Sequence, residues 1–310
     1  PLLNLRLRKA ALKGSKIIAL DTHARPFNYG LTDQIIVKPS MIGAMLDKLF
    51  KGVSGVEEPS ELLGLATKVL SDAKKLVVVV GAGVQASPNR RFLMNMVDQL
   101  VGSLSATKVT IADGGNAAGA WLAGAVPHRG PGGARLTESM AANSRGFLSP
   151  RKNFILMGVD PLLDSADPYT FKSSLESAEM VVAMTAFITP DIEALATVIL
   201  PIAIYAENEG TYVNGAGNWQ SFKSAVKPPF SARPAWKILR VLGEQLGLTG
   251  FDAVAVDDVT GVVREECSGK NFVSHVASVE LPTSKTHLEK QIELIVEVPM
   301  YRTDALVRHA

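Results

Sequence analysis

The stretch most informative about the fold is VILPIAIYAENEGTYVNGAGNWQ, residues Val198–Gln220. It opens with apolar residues typical of a strand, and Pro201 ends the predicted ladder because proline has no amide proton. A polar run of acids, amides and glycines then predicts a loop over residues 207–217. Open α/β sheets usually place their binding sites where a buried strand runs into such a loop. The alternative interpretation is an ordinary surface loop.

The composition of the 310-residue chain indicates a globular protein of two or three domains. Apolar residues make up 47% and charged residues 20%, which excludes a disordered chain. A net charge of +2 with scattered basic residues argues against a nucleic-acid partner. The single cysteine, Cys267, excludes a disulfide framework and an all-cysteine metal or iron–sulfur site in this sequence. The longest apolar run, residues 76–84, is too short to span a membrane.

Strand-like and helix-like segments alternate, which predicts two doubly wound, mostly parallel α/β lobes. Strands are predicted at residues 16–20, 34–37, 76–80 and 108–112 in the first lobe, and at 153–158, 180–184 and 197–200 in the second. A further strand is expected at 291–298 in an otherwise irregular tail. Helices are predicted at residues 2–13, from Ser40 to 52, from Pro59 to 70, from Ser87 to 101, at 118–123, 168–177 and 190–196, and from Pro234 to 247.

The turn after the third strand matches the dinucleotide fingerprint G-x-G-x-x-G/A over Gly81–Ala86. Asp113 ends the next strand, where a ribose-binding acid would lie. Two details oppose a nicotinamide or flavin site: the helix is predicted to begin only at Ser87, and Asp113 lies further beyond Gly83 than the usual ~20 residues. A tight structural turn is therefore the preferred interpretation, and Gly83→Ala should cost about 1 kcal/mol if Gly83 has a positive φ.

No pattern in the chain indicates a catalytic or metal-binding residue. The histidines show no metal spacing with acids or with Cys267. The motifs HExxH, GxSxG and the Walker loop do not occur in the sequence. The sequence therefore predicts no catalytic residues and no metal ligands.

Several motifs resemble the molybdopterin oxidoreductase family. Residues 200–214, LPIAIYAENEGTYVN, match the family signature LPxxxxxExxGTxxN. The continuation over residues 220–248, QSFKSAVKPPFSARPAWKILRVLGEQLGL, is similar to the version in the large iron–sulfur subunit of bacterial NADH:quinone oxidoreductase, respiratory complex I. The resemblance extends to residues 1–21, to the Gly158–Pro161 turn and to residues 298–310, VPMYRTDALVRHA.

In that subunit, cysteine-rich domains that bind iron–sulfur clusters precede a body resembling the molybdopterin enzymes. The resemblance implies that this chain is a fragment beginning inside the body, with the iron–sulfur clusters upstream. It further implies an inserted Rossmann-like α/β lobe at residues 1–149 and a second α/β lobe at 150–250 whose first part lies upstream. The irregular tail is then residues 251–310.

The resemblance also implies a function. The segment would be a structural and interaction region, without its own cofactor, of the enzyme that passes electrons from NADH towards quinone, and inactive when alone. Its partners would be other subunits of the peripheral arm of complex I, with no nucleic acid and no membrane insertion. Its location would be the cytoplasmic side of the bacterial inner membrane.

The family's pterin-facing positions correspond to two sets of residues in this chain, namely Gly158, Asp160 and Pro161, and Glu209, Gly210, Thr211 and Asn214. The usual N-x-E-G-R-x-Q ending is altered here, with Ala216 in place of Glu and Asn218 in place of Arg. An arginine fork is the natural anchor for a phosphate, so Asn218 argues against a bound pterin dinucleotide. None of these positions is expected to bind a cofactor.

Two other functions remain open from the sequence. One is a functional molybdopterin oxidoreductase of the formate dehydrogenase or nitrate reductase type, whose pterin and molybdenum ligands would lie upstream. The other is a dinucleotide-dependent dehydrogenase, for which the Gly81 turn and Asp113 are the supporting features.

Overall fold

The computed structural model describes residues 2–112, 114–136, 146–270, 292–295 and 300–309. The chain divides into two compact units. The first contains residues 2–112 and 292–295, and the second contains the described residues from 114 to 270 together with 300–309. This division at residue 113 lies before the lobe boundary expected at 149, and the family-based domain bounds stay a prediction.

The first unit contains two pairs of parallel strands. β1 (Ile18–Asp21) pairs with β2 (Asp33–Ile36), and β3 (Val77–Val80) pairs with β4 (Thr107–Thr110). The four strands lie within two residues of the predicted positions, because short runs of Val and Ile read as strands without any tertiary information. The parallel α/β prediction is thus confirmed in this unit.

The helices described in this unit are α1 (Leu2–Leu12), α2 (Ile42–Val53), α3 (Gly64–Ser71), α4 (Ala82–Gln85) and α5 (Arg90–Ser103). Two adjacent apolar clusters form the core. The first contains Ile35, Met45, Leu49, Leu63, Ala66 and Leu100, and the second contains Leu46, Val80, Phe92, Leu93, Met96 and Val97. Helix α2 contributes to both clusters, so it holds the two strand pairs to one core.

Three predicted helix starts in this unit are wrong. Ser40 does not cap α2, because it lies in a 3₁₀ turn and its hydroxyl donates to the Glu293 carboxylate. Helix α3 begins at Gly64 and not at Pro59, since residues 60–62 are exposed and only Leu63 before it packs in the core. Helix α5 begins at Arg90, because the Ser87 hydroxyl accepts the Asn89 amide at 3.2 Å in a turn.

The second unit is built on a parallel three-stranded sheet with the order β5 (Asn153–Met157), β6 (Met180–Thr185), β7 (Val198–Pro201). The short α6 (Ala117–Leu122) precedes the sheet, and the connecting helices are α7 (Pro168–Glu176) and α8 (Pro190–Leu195). Side-chain caps begin both connecting helices: Asp167 accepts the Thr170 amide at 3.1 Å, and Thr189 accepts the Ile192 amide at 3.3 Å. The predicted strands and helices of this region are confirmed.

The polar run after β7 contains β8 (Gly210–Val213), which pairs with β9 (Trp219–Phe222) in an antiparallel hairpin, so the loop predicted over residues 207–217 is wrong at 210–213, whereas 214–217 form the hairpin turn. Thr211, Tyr212 and Val213 favour a strand despite the flanking glycines. Helix α9 (Ala235–Gln245) follows as predicted. The tail is more regular than expected, because it contains α10 (Val256–Cys267), α11 (Met300–Thr303) and α12 (Ala305–Arg308). Of the strand expected at 291–298, residues 292–295 are in no strand and the others lie outside the described residues.

The two faces of the three-stranded sheet differ in their covering. On one face, Leu156 and Val181 pack with Leu175 of α7 in a buried cluster. On the other face, the side chains of Ile155, Met157 and Val198 are 52%, 51% and 42% exposed. We call this second side the open face. A groove of about 770 Å³ runs beside it, bounded by Val182, Leu200 and residues of α9 that include Trp236.

Candidate functional site

The carboxyl ends of β5, β6 and β7 open into a pocket of about 320 Å³, which we call the strand-end pocket. Its walls come from the turn at Gly158, from the loop that leads to Thr189, and from the residues that follow Pro201. Residues 303–309, which we call the tail segment, supply the remaining wall. This is the edge of a parallel sheet at which ligands usually bind.

Asp160 organises the turn after β5. Its side chain is only 5% exposed. One carboxylate oxygen accepts the amides of Leu162 and Leu163, both at 3.0 Å, and the other accepts the Thr189 hydroxyl at 3.0 Å. Because Thr189 also caps α8, Asp160 ties the end of β5 to the start of that helix. The carboxylate is therefore engaged in holding the local fold.

A bidentate ion pair joins this turn to the tail segment. Arg308 Nη1 and Nη2 donate to the two oxygens of Asp164 at 2.7 and 3.0 Å, and the Asp160 amide donates to Asp164 at 2.8 Å. Partial burial pushes the pKa of Asp164 upward, but the hydrogen bonds from Arg308 and Asp160 and the Arg308 charge hold it below its usual range. The hydrogen bond to Asp164 in turn raises the pKa of Arg308.

The tail segment has its own local order. The Asp304 carboxylate accepts the amides of Leu306 and Val307 at 2.9 and 3.1 Å and so caps α12. The His309 ring stacks on Phe187, with ring centroids 4.9 Å apart and an interplanar angle of 25°. The backbone of Phe187 is fixed by Thr185, whose hydroxyl donates to its carbonyl at 2.8 Å and accepts its amide at 3.1 Å.

The first set of predicted pterin-facing positions lies at this pocket. Gly158 and Asp160 line it, and Pro161 is fully buried beside them. Gly158 has φ 63°, a conformation that glycine adopts without strain. The turn was recognisable in the sequence because a glycine, an acid and a proline followed a strand.

The second set lies on the β8–β9 hairpin and does not line the strand-end pocket. Glu209 accepts the Lys223 ammonium at 3.2 Å, and Thr211 shares a hydrogen bond with Ser221 at 2.9 Å. Asn214 accepts the amides of Ala216 and Asn218, both at 3.0 Å, and thereby closes the hairpin turn. A Cβ on Gly210 would lie 3.3 Å from the Phe222 ring. These residues make local contacts that build the hairpin.

The residues of the strand-end pocket do not fit a pterin dinucleotide. Phosphates need several strong donors, preferably arginine forks. Among the described residues that line this pocket, the basic side chains are Arg308 and His309, and both Nη atoms of Arg308 are bound by Asp164. Asp160 and Asp304 add negative charge at the same pocket. Its volume is also near the lower end of the ~300–1,000 Å³ of typical ligand sites.

Arg308, Asp164, Phe187 and Thr189 were not singled out from the sequence. Arg308 and Asp164 are separated by 144 positions, so no local spacing indicates that they pair. The N-cap role of Thr189 before Pro190 carried a sequence signal, whereas its contact with Asp160 did not.

The Gly81 turn differs from the expected geometry. Gly81 is extended with φ −88°, and the helical turn α4 begins at Ala82, directly after β3, and not at Ser87. This helix is one turn long and is followed by α5 as a separate helix. Asp113, the proposed ribose-binding acid, lies outside the described residues. The interpretation as a structural turn stays a prediction.

Gly83→Ala is expected to change the free energy of unfolding by less than about 1 kcal/mol, in the stabilising direction. Gly83 lies inside α4, its φ is not positive, and an added Cβ would meet nothing within 4 Å. The loss of stability expected if Gly83 had a positive φ therefore does not apply. Urea unfolding measures the effect, and calorimetric titration with NADH should show no difference from the parent chain. A clear loss of stability, or micromolar NADH binding abolished by the substitution, would contradict the structural role.

Two general features bear on function. Across the part of the chain that the structure describes, no group of three or more His, Cys, Asp and Glu side chains is arranged to hold a metal ion. Within the same residues, no helix has the length and apolar character needed to cross a bilayer.

Comparison with known proteins adds relatives of two kinds. The chain is 25% identical over 231 residues to the NADH-quinone oxidoreductase G 2 subunit of Rhizobium meliloti, covering 66% of this chain and 26% of that protein. It is 30% identical over 199 residues to the mitochondrial NADH-ubiquinone oxidoreductase 78 kDa subunit of Candida albicans, covering 60% and 24%. It is also 32% identical over 115 residues to the F420-dependent formate dehydrogenase subunit alpha of Methanocaldococcus jannaschii, covering 37% and 17%.

The chain thus spans about a quarter or less of the length of these curated relatives. Among solved structures, the formyltransferase/hydrolase complex FhcABCD from Methylorubrum extorquens in complex with methylofuran matches with a TM-score of 0.53. That match has 13% identity and covers 79% of this chain and 80% of the other, so it supports the fold alone. The model of the molybdopterin oxidoreductase family matches residues 1–245. Its match over most of the chain confirms the resemblance at the family level: the chain belongs to the molybdopterin oxidoreductase family.

Proposed function

We propose that this chain is a structural and interaction region of the large iron–sulfur subunit of an NADH:quinone oxidoreductase. In this proposal it has no catalytic group and no cofactor of its own, and the electrons pass through other parts of the enzyme. The alignment to the Rhizobium G 2 subunit supports the assignment, since it covers 66% of the chain whereas the formate dehydrogenase alignment covers 37%. The proposed location is the cytoplasmic side of the bacterial inner membrane.

The observation that carries the interaction role is the open face. Parallel sheets are almost always covered on both faces, because their strands are apolar on both sides. Here Ile155, Met157 and Val198 remain about half exposed beside the groove along α9. Such a patch is typical of a surface that another polypeptide covers. We propose that the covering element belongs to the same subunit or to another subunit of the peripheral arm.

The interaction role predicts that charges on the open face block assembly. Ile155→Asp together with Val198→Asp should lower recovery of the chain in the assembled oxidoreductase at least tenfold, because docking would bury unpaired carboxylates. Val226→Asp is the matched control, since Val226 is an exposed apolar residue outside this face. Circular dichroism of the isolated chains checks that each variant folds. If the Ile155→Asp/Val198→Asp variant and the Val226→Asp control were recovered equally in the assembled enzyme, the interaction role of the open face would be refuted.

The proposed lack of a cofactor predicts that the purified chain carries neither molybdenum nor iron nor pterin. The occupied Arg308 fork, the acids at the strand-end pocket and Asn218 on the hairpin support this expectation. Each missing charged contact costs a phosphate ligand about 1.5–3 kcal/mol, or roughly ten- to a hundredfold in affinity. Metal analysis and fluorescence of acid-released pterin measure the content. A formate dehydrogenase alpha subunit prepared in parallel serves as the positive control.

Stoichiometric pterin would instead favour the second candidate, a functional molybdopterin oxidoreductase of the formate dehydrogenase type. The observation behind this candidate is the 32% identity to the Methanocaldococcus alpha subunit, the highest identity among the three relatives described above.

A further inference from the structure

We propose that the tail segment, residues 303–309, is a displaceable wall of the strand-end pocket, docked on the strand-end loops by its own side chains. This inference rests on the proposed function, because the docked wall limits the space at the usual ligand-binding edge of the sheet to about 320 Å³. The docked segment uses the polar and aromatic groups that an external ligand would need. Two side-chain contacts and the local order of the segment support the proposal.

The first contact is the Arg308–Asp164 ion pair. The Arg308 side chain is only 8% exposed, and both of its Nη atoms donate to the same carboxylate. Charge-assisted bidentate pairs are among the stronger hydrogen-bonded contacts in proteins. Removing one partner of a buried pair is strongly destabilising, because the other charge is left uncompensated. The pair therefore anchors the end of the tail segment at the turn after β5.

The second contact covers an aromatic surface. Phe187 follows β6 and would offer its ring to a planar ligand. His309 stacks on this ring at a centroid distance of 4.9 Å. A planar external group that used the same face of Phe187 would therefore have to displace His309.

The cap of α12 gives the segment its own local order. Because Asp304 accepts the amides of Leu306 and Val307, these two donors are satisfied within the segment. Ala305 and Leu306 form part of the pocket wall, as do Ile202 and Ala203. The tail segment thus brings a ring and a guanidinium to complementary groups on the strand-end loops, and it adds apolar residues to the wall of the pocket.

One feature weakens this docking. Arg308 Nε is buried and has no hydrogen-bond partner among the described residues. An unsatisfied buried donor costs free energy, which lowers the net stability of the docked state. The segment is therefore expected to exchange between docked and released states more easily than the strands beneath it.

Hydrogen exchange of the full chain, followed by mass spectrometry, tests the proposal. Arg308→Gln and Asp164→Asn should each raise the exchange rate of amides in residues 303–309 at least tenfold. Arg302→Gln is the matched control, because Arg302 is exposed on the same part of the chain and should leave the exchange unchanged. Exchange of the β6 amides, residues 180–185, reports global unfolding and should stay at the parental rate in all three variants.

If Arg308→Gln unfolds the chain, Arg308→Lys provides a milder change that keeps the charge but loses the fork, and an intermediate increase is expected. Unchanged exchange of the tail segment in both the Arg308 and the Asp164 variants would overturn the proposal. An equal increase in Arg302→Gln would also overturn it. Pterin content is measured separately, so failure of the docking and failure of the proposed function give different results.

Discussion

Asp160→Ala is expected to lower the free energy of unfolding by about 3 kcal/mol, the largest effect we expect from a single side chain at the site. The carboxylate is 5% exposed and accepts two backbone amides and the Thr189 hydroxyl. Hydrogen bonds to a charged group contribute about 1.5–3 kcal/mol each, and alanine would leave all three donors without this acceptor. Contributions of hydrogen bonds that share one acceptor are not additive, so the expected loss is below the full sum.

Two further variants test whether the buried Asp160 carboxylate contributes more to stability than an exposed one. Asp160→Asn keeps an oxygen acceptor and should cost less, about 1–2 kcal/mol. Asp167→Ala removes the exposed cap of α7 and should cost less than Asp160→Ala. Urea unfolding at pH 7 measures all three changes. If Asp160→Ala lost no more stability than Asp167→Ala, the turn after β5 would not depend on the Asp160 carboxylate.

Gly243→Ala is expected to destabilise the chain by about 2 kcal/mol, although alanine is the better helix former. Gly243 is the buried glycine of α9, and a Cβ placed there would lie 2.2 Å from Cδ1 and 2.3 Å from Cγ of the Phe251 ring. Since Cγ is next to the backbone, the ring cannot swing away cheaply. The strain of moving it should exceed the gain in helix propensity of about 1 kcal/mol.

Gly261 provides a matched control with the opposite sign. It lies inside α10, is exposed, and an added Cβ there would meet nothing within 4 Å. Gly261→Ala should therefore stabilise the chain by about 0.5–1 kcal/mol through helix propensity alone. Denaturant or thermal unfolding of the two variants measures the difference. Effects of the same sign would show that the contact with Phe251 does not decide the outcome at Gly243.

The seven parallel strands were predictable within two residues because each contains or adjoins apolar or β-branched residues in a short run. Helices α7 and α8 were also predictable, since a capping Asp or Thr followed by proline marks their first turns. The strand runs and the capping residues each lie within a few consecutive residues. They favour a local structure that does not depend on contacts with distant parts of the chain.

Helix α10 and the β8–β9 hairpin were missed because they depend on each other. Arg264 of α10 lies over the Trp219 ring of β9 at 5.1 Å, and Thr211 of β8 is 3.3 Å from Thr260 of α10. Around β8, the flanking glycines and amides outweighed the strand propensity of residues 211–213 in the sequence-based prediction. Contacts between distant segments stabilise both, and such contacts leave no periodic pattern.

The sequence by itself determined the family, the parallel α/β character and the position of the Gly158–Pro161 turn. Only the tertiary structure decided that Asp160 binds the Thr189 hydroxyl, that Arg308 pairs with Asp164 across 144 positions, and that the signature residues of the hairpin do not line the strand-end pocket. It also decided which face of the β5–β7 sheet stays open. The physical reason is range: strand propensity and capping act between neighbours in the chain, whereas ion pairing and burial depend on which distant segments the fold brings together.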